Sequence, residues 1–201
     1  MTRSASGEEY PVTFRTEAGT PDHLGGHLNK THVDVGSLKW LVDNYDVATM
    51  VDVGCGPGGM RVEAEKLGVT WYGVDGDESV WVPGSRIYTH DFTLGSFKSA
   101  EPKYDLGWSV EFLEHVEERY VPSYMDLFSR CRVVAATAAP PGYPGHHHVN
   151  CRSTDYWAGV FAAHGFVLDA AATATLRSVS TMVKPFMQRT GMLFRRYDYC
   201  D

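Results

Sequence analysis

Residues 54–59 (GCGPGG) place four glycines and a proline between two segments of opposite character. Residues 49–53 (TMVDV) before them are short, apolar and β-branched, and they read as a buried strand. The stretch from about Gly59 to Leu67 reads as a helix stopped at Gly68. A strand that passes into a helix through a turn with few side chains opens a βαβ unit, and such units stack into a parallel sheet. The rest of the chain repeats the alternation. Leu38, Leu41, Val42 and Tyr45 have helical spacing ahead of the first strand. Residues 69–75, 86–90, 104–110 and 132–138 read as the second to fifth strands, with helical spacing at Tyr120, Tyr124, Leu127, Phe128 and Cys131 before the fifth. Ser153 is the expected N-cap of a helix through His164, and residues 166–173 and 192–196 complete seven strands, the segment between them being left open as helix or loop. The expected fold is therefore α/β, a doubly wound, mostly parallel seven-stranded sheet with helices on both faces. In such sheets ligands lie at the carboxyl ends of the strands, here the loops after Val53, Val74, His90, Val110 and Ala138.

With 201 residues, 43% of them hydrophobic and 21% charged, the chain can bury a core as one domain. The first thirty residues are rich in Gly, Thr, Pro and charge and lack periodicity, so residues 1–32 are expected to form an arm or lid on a domain of residues 33–201. The net charge of −7 argues against nucleic acid as a partner. Residues 1–10 hold no signal-peptide core and no stretch approaches a membrane span, so no membrane partner is expected. Cys55, Cys131, Cys151 and Cys200 form no C-x-x-C pair and are expected to be reduced thiols of a cytoplasmic protein.

Gly54, Gly56 and Gly59 fit the dinucleotide fingerprint G-x-G-x-x-G, with Asp75 placed 21 positions beyond Gly54, so a nicotinamide oxidoreductase is one reading. Through Gly58 the same loop fits the G-x-G-x-G of enzymes that use S-adenosylmethionine (SAM). Charge separates the two. A dinucleotide brings a pyrophosphate, whereas SAM brings an ammonium and a sulfonium that prefer acidic surroundings. Asp52 precedes the first glycine, Asp75 and Asp77 close the second strand, Asp91 follows the third, and Glu111 and Glu114 follow the fourth. Acids that cap helices account for single cases, but carboxylates after four successive strands suit a cation.

Residues 51–58 (VDVGCGPG), 72–75 (YGVD), 90–93 (HDFT) and 104–116 (YDLGWSVEFLEHV) together resemble the class I, Rossmann-like SAM-dependent methyltransferases, in their small-molecule branch of bacterial and phage type. The resemblance spans roughly residues 24 to 196. It implies that Asp52 and the turn Gly54, Cys55, Gly56 and Gly58 line the methionine part of SAM, and that Asp75, beside Gly76, holds the ribose hydroxyls. It further implies that Asp91 accepts from the adenine amino group, that Phe92 packs beside the ring, and that Ser109 and Glu111 close the methionine side. Gly107 departs from the family, which more often has a β-branched residue there. His115 is expected to sit structurally at a helix start.

The loop after the fifth strand, residues 140–150 (PPGYPGHHHVN), is too rich in Pro and Gly to be helical. If it is extended, His146 and His148 face one way and His147 the other. A histidine of this pair is the expected general base toward a small-molecule acceptor. His146 and His148 could also supply two metal ligands, but spacing identifies no third, and no metal is expected. The SAM motifs leave open a catalytically silent SAM-binding module.

Overall fold

The computed structural model describes residues 21–99 and 101–199, so the expected arm is seen from Pro21 onward and its first twenty residues lie outside the described residues. Seven strands form one sheet: β1 (Thr49–Val53), β2 (Thr70–Asp75), β3 (Ile87–Thr89), β4 (Tyr104–Ser109), β5 (Cys131–Ala136), β6 (Phe166–Leu168) and β7 (Met192–Arg196). Their order is β3-β2-β1-β4-β5-β7-β6. The first five run parallel, while β7 inserts antiparallel between β5 and β6, with Val134 opposite Phe194 and Leu168 opposite the same residue on the other side. The strand order reverses between β1 and β4, and this is where ligands bind in sheets of this type.

Alternation along the strands divides the core into two layers. Val51 and Val53 of β1, Val134 and Ala136 of β5, and Phe194 of β7 meet the helices α3 (Val121–Phe128) and α4 (Thr154–Ala163) on one face. Met50, Val133, Ala135 and Leu193 meet α1 (Val35–Tyr45), α2 (Met60–Lys66), α5 (Ala170–Val179) and α6 (Phe186–Thr190) on the other. Every helix therefore buries an apolar stripe against the sheet. Asp34 starts α1 by accepting from the Ser37 N–H at 3.1 Å, and it also accepts from the Thr181 N–H at 2.9 Å, which pins α1 to the segment after α5. Among the described residues no helix is long and apolar enough to cross a membrane, and Cys55, Cys131 and Cys151 are free.

One expected strand is too long. The sequence predicts a strand over residues 166–173, but β6 stops at Leu168 because the Asp169 carboxylate caps the Ala172 N–H at 2.9 Å and starts α5. Alanine at 170–172 favours the helix. Gly107 has a packing reason: a Cβ there would lie 3.0 Å from both Cys131 Sγ and Phe128 Cδ1. The large Phe128 ring takes the room that a β-branched residue would need.

Candidate functional site

The turn after β1 is shaped by glycines in the left-handed region, with φ of +72° at Gly54, +52° at Gly56 and +74° at Gly58. It wraps around the end of β2. Asp75 accepts from the Gly56 N–H at 2.7 Å and from the Asp77 N–H at 2.9 Å, so one carboxylate fixes two loops. Burial raises the Asp75 pKa, and these two N–H donors oppose the rise. Asp52 is buried beneath the turn and takes the Trp71 indole N–H at 3.2 Å. Its loss of hydration pushes the carboxyl up to about 7, against the indole hydrogen bond and with help from the Asp75 charge.

A cleft of about 340 Å³ opens above the turn. Asp52, Gly54, Cys55, Gly56, Asp75, Gly76 and Glu111 line it, and so do His146 and His148. A second cleft of about 300 Å³ continues past Gly76 to Asp91 and Phe92. Gly58 and Ser109 stand behind the walls: Gly58 packs toward the Trp71 ring, and the buried Ser109 hydroxyl donates to the Val53 carbonyl at 3.0 Å. These two residues hold the cleft's shape without facing it.

Glu111 adopts φ +55°, unusual for a residue with a side chain, and Thr137 secures it. The Thr137 hydroxyl accepts from the Glu111 N–H at 2.9 Å and donates to Glu111 Oε1 at 3.1 Å. Burial raises the Glu111 carboxyl to about 7. The loop of residues 140–150 is turned rather than extended, because His147 takes φ +46°. His147 nonetheless faces the second cleft while His146 and His148 face the first, so a turn produces the partition expected of an extended segment. A third cavity of about 540 Å³ shares Glu111, Tyr143 and Phe186 with the first. Its walls carry Trp157 and Met192 together with the cations Arg152, Lys184 and Arg189.

Three features lie outside the site residues expected from the sequence. Phe112 lies so close to the turn that a Cβ on Gly54 would come 2.6 Å from its ring, and it lines both clefts. From the arm, His23 reaches Asp91, His27 reaches Asp77 at 3.1 Å, and Leu24 covers Gly76. Finally, His115 is largely buried beside His148, and desolvation together with the neighbouring His148 charge takes its pKa down to about 4. The aromatic and the three ligand-type residues within residues 111–115 (EFLEH) are the sequence signal there, and for the arm contacts the signal is the expected arm or lid of residues 1–32 with its histidines.

No family model matches the chain, and no curated protein matches it in sequence. Solved structures do. Magnesium protoporphyrin IX methyltransferase (ChlM) from Synechocystis PCC 6803, with bound SAH, aligns with a TM-score of 0.55 at 19% identity over 80% of each chain. A TehB-like SAM-dependent methyltransferase from Corynebacterium glutamicum aligns with a TM-score of 0.56 at 14% identity, covering 82% of this chain and 88% of that one. Geranyl diphosphate C-methyltransferase from Streptomyces coelicolor A3(2) aligns with a TM-score of 0.50 at 18% identity over 79% and 76%. From the strand order to the glycine turn between β1 and α2, the chain has the fold of the class I SAM-dependent methyltransferases.

Proposed function

We propose that the protein is a SAM-dependent methyltransferase that moves a methyl group onto an oxygen or nitrogen of a small-molecule acceptor. The observation that carries this reading is the set of carboxylates, Asp52, Asp75, Asp91 and Glu111, arranged around a left-handed glycine turn at the switch in strand order. These residues suit a ligand with an ammonium and a sulfonium, and they would repel the pyrophosphate of a nicotinamide cofactor. SAM supplies an activated methyl group when bound. In this reading Asp52 and the turn Gly54–Gly58 hold its methionine end, with Ser109 supporting from behind and Glu111 closing that side. Asp75 and Gly76 hold its ribose, Asp91 and Phe92 its adenine, and residues 1–32 form a lid over a domain of residues 33–201.

The acceptor pocket is the 540 Å³ cavity. Its mixture of Trp157, Phe186 and Met192 with Arg152, Lys184 and Arg189 suits an acceptor with an apolar body and an anionic group. A histidine of the His146 and His148 pair takes the proton of the attacking hydroxyl or amine, and the walls hold the two reactants in line. The same reading includes a cytoplasmic location and no nucleic-acid or membrane partner.

The test incubates the full chain with methyl-labelled SAM and fractionated small-molecule extract. Label appearing in one fraction, with one equivalent of SAH formed per methyl, supports the reaction. Tight SAM binding without transfer in any fraction points to the silent module instead, and tighter binding of NAD than of SAM overturns the reading.

A further inference from the structure

Where the loop after β4 meets the loop after β5, three ligand-type side chains converge. Glu114, His115 and His148 each offer one ligand atom, and these atoms lie within 4.8 Å of one another. Three donors bound at about 2.0–2.2 Å around one tetrahedral ion stand about 3.3–3.6 Å apart, so closing the set needs a movement of up to roughly 1.5 Å. His148, on a half-buried loop position, can supply that movement.

The state of Glu114 points independently to a ligand. The residue is fully buried; its Oε1 accepts from the Ala139 N–H at 3.1 Å, whereas Oε2 is buried without a hydrogen-bond partner. An orphaned carboxylate oxygen in the interior is costly unless a cation or a proton meets it. The Glu111 carboxyl stands beside it, so a proton shared between the two acids is the competing arrangement.

The histidines are already oriented as ligands. His148 Nδ1 donates to the Tyr143 carbonyl at 3.0 Å, which leaves the lone pair on Nε2. The His115 ring is hydrogen-bonded to the His146 backbone. Backbone partners of this kind fix tautomer and ring direction in metal sites. A Cβ on Gly145 would fall 2.1 Å from His148 Nε2, so a glycine is needed for the ring to seat. The Val149 and Asn150 N–H groups both donate to the Glu114 carbonyl at 3.0 Å, which locks the two loops together. Spacing had offered His146 and His148 as a pair; in the fold the partners of His148 are Glu114 and His115.

We propose that Glu114, His115 and His148 bind one divalent transition-metal cation of the Zn²⁺ or Mn²⁺ class at the wall of the first cleft. Two imidazoles and one carboxylate suit these ions better than Mg²⁺ or Ca²⁺, which prefer all-oxygen sets. Three protein ligands leave a coordination position, and His115 and His148 both face the cleft. That an acceptor oxygen occupies this position rests on the methyltransferase reading; cation binding does not.

The experiment uses the full chain, freed of metal by chelation, and titrates it with Co²⁺ followed by visible absorption and with Zn²⁺ followed by calorimetry, both without SAM. One saturable equivalent is expected. His148→Ala and His115→Ala should each weaken it by roughly tenfold or more, while His164→Ala, on the far side of the domain at the end of α4, leaves it unchanged. Circular dichroism and a melting curve check that each variant is folded, and Gly145→Ala, which displaces the His148 ring, should weaken binding without removing a ligand. No saturable binding, or one equivalent that survives both His115→Ala and His148→Ala, overturns the site and leaves the shared proton in its place. One equivalent bound by a chain that transfers no methyl supports the site and counts against the methyltransferase reading alone.

Discussion

His23 Nε2 lies 2.8 Å from Asp91 Oδ2, which places an arm residue on the carboxylate that follows β3. Burial alone would raise the Asp91 pKa, but the His23 ring and Thr93 hold it below the usual carboxylate value. Leu24 fills the neighbouring space over Gly76, where a Cβ would come 2.4 Å from its Cδ2. The described part of the arm thus takes the position where the proposed adenosine would lie.

If the arm and SAM compete for Asp91, His23→Ala is expected to tighten SAM binding. A partly exposed ion pair is worth about 0.2–1 kcal/mol, so the gain is roughly 1.5- to fivefold by calorimetry. Weaker binding in this variant would show instead that the arm closes over the bound ligand.

Asp75→Ala should weaken SAM binding by about 1.5–3 kcal/mol, the range for hydrogen bonds to a charged acceptor. Because Asp75 also holds the Gly56 and Asp77 N–H groups, Asp75→Asn separates the charge from the loop geometry. Unchanged affinity in a folded Asp75→Ala variant would remove the residue from the site.

Asp52 predicts a pH dependence with a defined sign. Its folded pKa is raised from 3.8 to about 7 by burial, so the folded chain holds a proton that the unfolded chain releases. The associated stability is full below about pH 4 and is lost as the pH rises toward 7. A bound ammonium favours the ionised carboxyl, so SAM affinity should rise between about pH 6 and 8 with proton release at the lower end. Calorimetry in two buffers of different ionisation enthalpy measures that release, and Asp52→Asn should reduce it, leaving the share that belongs to Glu111.

With an acceptor in hand, His146→Ala is expected to lower kcat by about 10²–10⁴-fold while SAM affinity is retained, as for the loss of a general base. A rise in KM at constant kcat would assign His146 to acceptor binding instead.

Two glycines should respond in opposite directions. Gly107→Val forces a side chain against Phe128 and Cys131 and should cost about 1–3 kcal/mol, lowering the melting midpoint by roughly 2–12 °C. Gly159 lies inside α4 with nothing within 4 Å of an added Cβ, and Gly159→Ala should stabilise by about 0.5–1 kcal/mol. Thermal melts followed by circular dichroism decide both.

The sheet was legible because its strands are short apolar runs bounded by turns: β1 and β7 begin and end where the sequence places them. The misread segment is residues 170–173, where the expected strand runs on to the β-branched Thr173 but the Asp169 cap starts a helix instead. The carboxylates around the glycine turn were legible for a related reason, since each follows a strand whose end can be read. Phe112 on Gly54, Leu24 on Gly76 and His148 beside His115 depend on loops distant in sequence meeting in space. No periodicity encodes such meetings.

Both ends of the loop after β5 are tied to a single residue: Ala139 to the Glu114 side chain, and Val149 and Asn150 to its carbonyl. Between these ties, residues 140–145 are exposed, with no secondary structure beyond turns. Their length and composition can therefore change without moving the sheet, and Glu114 serves as a common clasp for whatever replaces them. In the methyltransferase reading, acceptor range is thereby separable from folding, and loop exchange that keeps Ala139, Gly145, His148 and Asn150 would vary the acceptor.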